Sequence, residues 1–463
     1  MMRAFVSFVF LLLATLPARA IDIQQITSPG GIKAWLVEDH SIPFTAVSMF
    51  FKGGASLDAE GKRGAINLMT ATLEEGSGER DSTQFAQALE ELGADLRFDV
   101  SDDALSVTAR ALTENRDQVA DLMKGALTDP RFDDTAVDRV KKQVELIIRS
   151  EDTDPSSIAA KKLAALAWGN HPYGTSLNGT LDSVGALTRD DLIDAKNRVL
   201  ARDRVVVAAS GDITADQLGQ MLDHVLGDLP ATGSAPLPEP AKLELTGGTT
   251  IVEWDSPQTV VAFAQKGIPM SDPDYFAAYV ANHILGGGGF SSRLMDEIRE
   301  KRGLTYGVST MLDNGLYGET WRGGMASAND KVMEATDLVK VEWNKFRDGV
   351  TDKELKDAKT YLTGEYPLRF DGNGKIASIL AGMQLIGLPA DYVNTRNGKI
   401  NEVTAADVKR VADKLLNADD LRFVLVGQPE VKDKPDATVK GETPATPASE
   451  APAEPAPEPT LAD

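Results

Sequence analysis

Apolar residues recur along this chain at two periods. Ala34 to Glu38 with Ala46 to Phe51, and later Thr250 to Trp254 with Thr259 to Gln265, are short strand-like runs that precede the first long helix of each half. Asp95 to Asp99 and Ala104 to Ala111 alternate like paired strands around a turn at Ser101 to Asp103. Elsewhere the spacing is helical. Ser82 to Leu92 turns Phe85, Leu89 and Leu92 inward behind Asp81 as an N-cap. A further helix from about Thr135 to Ser150 has the apolar face Val137, Val140, Val144 and Ile147.

The pattern repeats. At an offset of 216, Leu187, Thr188, Asp191 and Leu192 correspond to Val403, Thr404, Asp407 and Val408, and Val205, Val207 and Gly211 correspond to Leu421, Phe423 and Gly427. Each half therefore closes with a capped helix, a short apolar strand and a glycine. Between the halves, Ala231 to Lys242 (ATGSAPLPEPAK) has linker composition, and from Lys432 onward the Pro-, Ala- and Glu-rich sequence predicts disorder. The expected organisation is a duplicated α+β chain: residues 21–230, a linker at 231–242, residues 243–431 and a tail at 432–463.

One segment concentrates the polar chemistry. Residues 286–307, GGGGFSSRLMDEIREKRGLTYG, read as a glycine loop, a helix starting at Ser291 or Ser292 and a strand. Phe290, Leu294 and Ile298 recur at helical spacing, Gly303 fits as the stop, and Tyr306, Val308, Thr310 and Leu312 share one face of the extended stretch. Arg299 and Tyr306 can then converge across one turn. The plainer alternative pairs Arg299 with Asp296 or Glu300 on the surface and packs Tyr306 in the core. The four glycines are not followed by a Walker Lys-Ser/Thr, so a phosphate loop is not favoured.

Composition narrows the class. Residues 1–20, MMRAFVSFVFLLLATLPARA, have the basic, apolar and small-x-small regions of a signal sequence cut after Ala20. The apolar run is shorter than the roughly 20 residues that span a bilayer, so a retained anchor is the weaker reading. This predicts an exported, periplasmic protein without a membrane segment after cleavage. The chain has no cysteine, so its core must be large enough to stand without disulfides. A net charge of -22 disfavours nucleic acid and anionic lipid as partners, because phosphate contacts need clustered Lys and Arg. The histidines, His40, His171, His224 and His283, include no pair at helical metal-ligand spacing, and no thiol or G-x-S-x-G nucleophile is present.

The duplicated layout, HPYG at 171–174, the 286–307 segment and the opening GIKAWLVEDHSIPFTAVSMFFKGGAS together resemble the insulinase/pitrilysin (inverzincin) family, in particular its short bacterial two-chain members related to mitochondrial processing peptidase. The resemblance covers about Ile21 to Val431. It implies an H-x-x-E-H zinc helix in the first half of a catalytic member. Here that stretch is RGAINLMTATLEEGSGERD, and aligning Gly64 and Gly76 with the flanking glycines puts Asn67, Thr70 and Ala71 at the His, Glu and His positions. The implied third ligand falls at Ile147, or at Glu145 after a small shift. Glu74 and Glu75 are the nearest acids, either an acid/base pair or a solvated helix end.

The resemblance further implies that Arg299 and Tyr306 are the family's Arg/Tyr pair, with Arg302 a competitor for the first place, and that Gly286, Gly287, Gly288 and Gly289 contribute to substrate binding. The alternative for the glycines is a tight strand-to-helix connection. The expectation is a non-catalytic subunit without its own zinc, in a heterodimer whose homologous partner carries the zinc and H-x-x-E-H and cleaves peptides. The rival expectations are a structural protein that no longer takes part in cleavage and a homodimer that binds peptides.

Overall fold

The computed structural model describes residues 21–431 and 435–441; the predicted signal sequence lies outside them. Strands β1 (Gln24–Thr27), β2 (Lys33–Glu38) and β3 (Phe44–Lys52) open the first half, followed by a two-residue pair, β4 (Gly76–Ser77) and β5 (Arg80–Asp81). Then come β6 (Asp95–Val100), β7 (Ala104–Leu112) and β8 (Val205–Gly211). They form a six-stranded mixed sheet in the order β1-β2-β8-β3-β7-β6. The second half has β9 (Gly248–Glu253), β10 (Gln258–Lys266), β11 (Val308–Asn314), β12 (Glu319–Ala328), β13 (Arg422–Gly427) and β14 (Ala437–Lys440), in the order β11-β12-β10-β13-β9-β14.

The two sheets share one plan, so the α+β duplication read from the sequence is the fold. The strands β2 and β3, and likewise β9 and β10, are not neighbours, however. The closing strand lies between them: β8 runs parallel to β2 and antiparallel to β3, and β13 does the same with β9 and β10. A parallel pair needs a long crossover, which the intervening helices supply. Both closing helices, Arg189–Val199 and Ala405–Leu415, begin with capping boxes, Thr188 with Asp191 and Thr404 with Asp407. Asp81 likewise forms a capping box with Gln84, as its position before Ser82 predicts.

Each sheet packs its own helices on one face. Phe51, Phe85, Leu68 and Phe132 are fully buried in the first core, and Trp321, Trp343, Phe263 and Phe423 in the second. The opposite face is covered by a helix from the other half. Pro155–Trp168 sets Ala159 and Leu163 against Val252, Ala264, Val424 and Val426 of the second sheet. Its repeat counterpart, Asn373–Leu385, sets Leu380 and Ala381 against the first sheet, where Trp35, Val37, Phe50 and Ala208 meet them. Polar contacts fix this seating: Ser210 donates to Asn373 (3.0 Å) and Gln384 to the Val207 carbonyl (2.7 Å). Neither sheet is covered without the other half.

Four details differ from the sequence reading. The helix Asp134–Thr153 buries Val137, Val140, Val144 and Ile148, leaving Ile147 48 % exposed, because four-residue steps follow the helical stripe there. The glycine run joins two helical segments rather than a strand and a helix, since Tyr275–Asn282 precedes it. Phe290 is 70 % exposed, while Leu294 and Ile298 are buried as their spacing requires. The tail composition predicts disorder from Lys432, yet Ala437–Lys440 forms β14, whose backbone ladder needs an open sheet edge rather than apolar side chains. Residues 432–434 and 442–463 lie outside the described residues.

Candidate functional site

The short helix Ala65–Thr72 carries the positions where a zinc motif would stand. Its N-terminus is held by Asp58, whose carboxylate accepts from the Gly64 and Ile66 N–H groups at 2.9 and 2.8 Å. Burial pushes the Asp58 carboxyl up to about 6, despite those donors and Arg63. On the helix, Thr70 is buried and donates back to the Ile66 carbonyl (2.7 Å), and Ala71 offers only a methyl group. The Asn67 amide donates to the Asn178 carbonyl oxygen (2.8 Å), and the Asn178 amide donates to Glu151 (2.6 Å). An amide-carboxylate chain thus occupies this corner.

These residues do not fit a zinc ion. An amide, a back-bonded hydroxyl and a methyl replace the imidazoles and carboxylate such a site needs. Among the described residues no group of three or more His, Asp or Glu side chains is arranged to hold a metal. Glu151, one helical turn beyond Ile147, was missed in the sequence; its i+4 relation to that position was the available signal. Glu75 is paired with Arg139, and Glu74 accepts from the Phe98 N–H (3.3 Å). Burial raises the Glu74 carboxyl, but the two acids serve separate contacts.

Arg299 and Tyr306 do come together. Both line an open cleft of about 440 Å³ with Gln258, Glu300, Ser327 and Lys331. The turn between them is fixed by its ending: Leu304 N–H donates to Ile298 (3.0 Å) and Gly303 N–H to Arg299 (2.8 Å), with Gly303 left-handed at φ 63°. The Gly303-to-Arg299 bond from a left-handed glycine is the αL cap expected of a stop glycine. Thr305 then donates to the Ala326 carbonyl (2.7 Å), tying the turn to β12.

The side chains are poised differently from the simplest expectation. Tyr306 precedes β11 and is 86 % exposed, so it does not share the inward face of Val308 and Thr310. Arg299 pairs with Glu300 and lies over the Phe290 ring, 4.6 Å from its centroid. Arg302 is engaged by Glu297 at 2.7 Å and does not line the cleft. The ion-pair half of the plainer alternative is present; the buried-tyrosine half is not.

The glycine run is mostly a packing device. A Cβ at Gly286 would collide with Thr310, one at Gly287 would stand 2.5 Å from the Asn282 amide, and one at Gly288 would stand 2.7 Å from the His283 carbonyl. Gly289 alone faces open space. Thr310 in turn donates to Asn282 (2.8 Å), so the loop and β11 are locked together.

HPYG is a lock between the halves. The Tyr173 hydroxyl donates to Asp103 and accepts from the Tyr317 N–H (3.2 Å), while the other Asp103 oxygen accepts from the Leu316 N–H (3.0 Å). Burial raises the Asp103 carboxyl and, with the adjacent carboxylate, the Tyr173 phenol. The β11-β12 hairpin tip fits because Gly315 and Gly318 leave room for Tyr173 and Trp168. The other histidines also have structural surroundings: His40 meets Glu38 and Asp212, His224 meets Asp121, and His283 stacks on Tyr361.

Two homologous α+β halves, an emptied metal-motif helix and an Arg/Tyr cleft define a peptidase-type scaffold without its metal ligands. The chain belongs to the insulinase family, peptidase family M16. Residues 33–181 match the model of Insulinase (Peptidase family M16), and residues 186–362 match that of the Peptidase M16 inactive domain. A peptidase M16 inactive domain from Pseudomonas fluorescens superposes with a TM-score of 0.83 at 30 % identity, covering 89 % of this chain and 99 % of that one. The chain is 28 % identical to the non-peptidase homolog YmxG of Helicobacter pylori, over 90 % of its own length and 96 % of the relative's. It is 25 % identical to the mitochondrial-processing peptidase subunit beta of Neurospora crassa, over 83 % and 84 %.

Proposed function

We propose that this chain is the non-catalytic subunit of a heterodimeric zinc metallopeptidase, in which a homologous partner supplies H-x-x-E-H and zinc. The observation that carries this reading is the contrast between its two halves. The zinc-motif positions hold Asn67, Thr70 and Ala71, while Arg299 and Tyr306 face one open cleft. A phenol and a guanidinium there can donate to a peptide carbonyl or to the oxyanion that develops as it is attacked. Glu300 and Phe290 hold the guanidinium until a substrate competes for it.

Peptides in extended form are the proposed substrates, with Gly289, the one glycine of the 286–289 run that faces open space, offered to them next to Phe290. The first twenty residues support an exported, periplasmic setting for the complex. The kinship with a protein named as a non-peptidase homolog supports the non-catalytic part; it equally keeps a purely structural or peptide-binding role as the second reading.

The test is to produce the chain alone and with an H-x-x-E-H homologue from the same cell, then measure bound zinc and peptide hydrolysis. The expected result is no stoichiometric zinc or cleavage for the chain alone, activity for the pair, and a loss of about 100-fold in kcat for the pair with Arg299→Ala or Tyr306→Phe, as for removal of an oxyanion donor. Stoichiometric zinc with cleavage by the isolated chain would sink the non-catalytic assignment. An active pair indifferent to both substitutions would remove the proposed role of the cleft.

A further inference from the structure

The outer edges of the two sheets are closed by the ends of the described chain in unlike ways. In the first half, β1 pairs antiparallel with β2 and packs Ile26 against the core. In the second, β14 pairs parallel with β9, and all four of its residues are exposed. Main-chain bonds at its ends define the ladder: Asp436 N–H donates to Thr249 (3.1 Å) and Gly441 N–H to Glu253 (3.1 Å).

The edge is more than a bare ladder. At its start, the Asp436 carboxylate accepts from the Thr249 N–H at 2.6 Å and lies 3.5 Å from the Arg422 guanidinium. That guanidinium is 12 % exposed and is aimed by Thr246, donating to its carbonyl (2.8 Å) and its hydroxyl (3.0 Å). Gly248, at φ 123°, leaves the space the carboxylate occupies, since any Cβ there would overlap it. At the far end, Val439 and Gly441 border a cavity of about 510 Å³ with Ile158, Val252 and Trp254. Gly441 lies so close to the indole that a Cβ would stand 2.6 Å from Trp254. Yet Val439 remains 42 % exposed, so the resident strand fills the cavity incompletely.

We propose that the β9 edge is a peptide-binding groove that takes an extended segment bearing a carboxylate three positions before an apolar β-branched residue and five before a glycine. The segment Asp436 to Gly441 occupies it as an intramolecular competitor. Strand addition supplies affinity through the main chain, and the Gly248 notch with Arg422 and the Trp254 cavity supply preference. The occupant is an extended peptide of this Asp-x-x-Val-x-Gly class. A nine-residue connection from β13 to β14 keeps the resident strand at an effective concentration on the order of millimolar, which an external peptide must overcome. The inference does not depend on the peptidase reading.

The experiment uses the full chain, wild type and Val439→Pro, whose proline withdraws the N–H that the register points at the Ile251 carbonyl, without shortening the protein. A fluorescein-labelled peptide of sequence PDATVKGE is titrated against each by anisotropy, beside the same peptide with its Asp replaced by Ala. The expected result is about tenfold tighter binding to Val439→Pro than to wild type, as relief from a tethered competitor gives, and loss of binding with the Ala peptide. Hydrogen exchange adds a second readout: amides of Thr249, Ile251 and Glu253, which face β14, lose protection in Val439→Pro and regain it with the peptide. Equal affinity for the two proteins, no binding to Val439→Pro, or equal binding of the Ala peptide each overturns the proposal. Asp436→Ala, placed outside the strand, gives the same release if Val439→Pro is poorly folded.

Discussion

Replacing Leu380 by Ala tests whether the exchanged helices make the two halves one folding unit. Leu380 is fully buried on Asn373–Leu385, where that second-half helix covers the first sheet beside Ala208. Truncation to Ala removes about two to three methylene equivalents, worth roughly 2 kcal/mol in transfer free energy at ~0.8 each. The cavity left in a site pinned by Asn373 and Gln384 adds to this, giving a total of about 3 kcal/mol, within the range for buried leucines. Urea denaturation measures the loss, and hydrogen exchange tells where it falls. Because the altered helix belongs to one half and seals the other, amides of β3 and β8 should lose protection together with those of β10 and β13. Loss confined to the helix and the first sheet, or a total below about 1 kcal/mol, would refute the idea that the exchange couples the halves.

Other expectations follow from the same geometry. Asp58 has a folded-state pKa raised from 3.8 to about 6, so its stabilising contribution is full below pH 3.8 and is lost as pH rises through about 6. Asp58→Asn should flatten the stability-pH curve between those values, which chemical denaturation at a series of pH values will show. Tyr173→Phe leaves the buried Asp103 carboxylate without the phenol and should cost about 1–3 kcal/mol; an unchanged denaturation midpoint would mean that the hairpin tip does not lock the halves. Gly303→Ala forces a side chain into left-handed backbone at φ 63° and should cost about 1 kcal/mol. In the active pair it should also lower kcat by displacing Arg299 from Tyr306, whereas a stability loss without a kinetic effect would separate the turn from the cleft.

Much of the molecule was legible because local rules and global packing agree. The offset of 216 located the capping boxes at Thr188 and Thr404 and the strands that follow them, and the Asp81 cap stood where its side chain predicted. Failures occurred where a neighbour in space decides. Ile147 and Ile148 are equally apolar, and only the packing partner selects Ile148. Tyr306 falls on the period-two face of β11 in the sequence, but the strand starts after it, so its ring is free. The glycines of 286–288 suggested a ligand loop by composition, and their tight approach to Thr310, Asn282 and His283 exists only in the folded chain. β14 gave no apolar signal, since an open edge attracts a strand through its backbone.

By itself the sequence determined the duplication, the α+β class, the emptied metal motif and the seven-residue spacing of Arg299 and Tyr306, because each is a property of residue type and order. The tertiary structure decided which strand lies between the opening pair, which helix crosses to the other half, and that Arg299 rather than Arg302 shares the cleft with Tyr306. It also decided that Asn67 and Glu151 meet through Asn178. These depend on contacts between residues distant in the chain, whose energies come from burial and hydrogen-bond geometry and so have no periodic trace in the sequence.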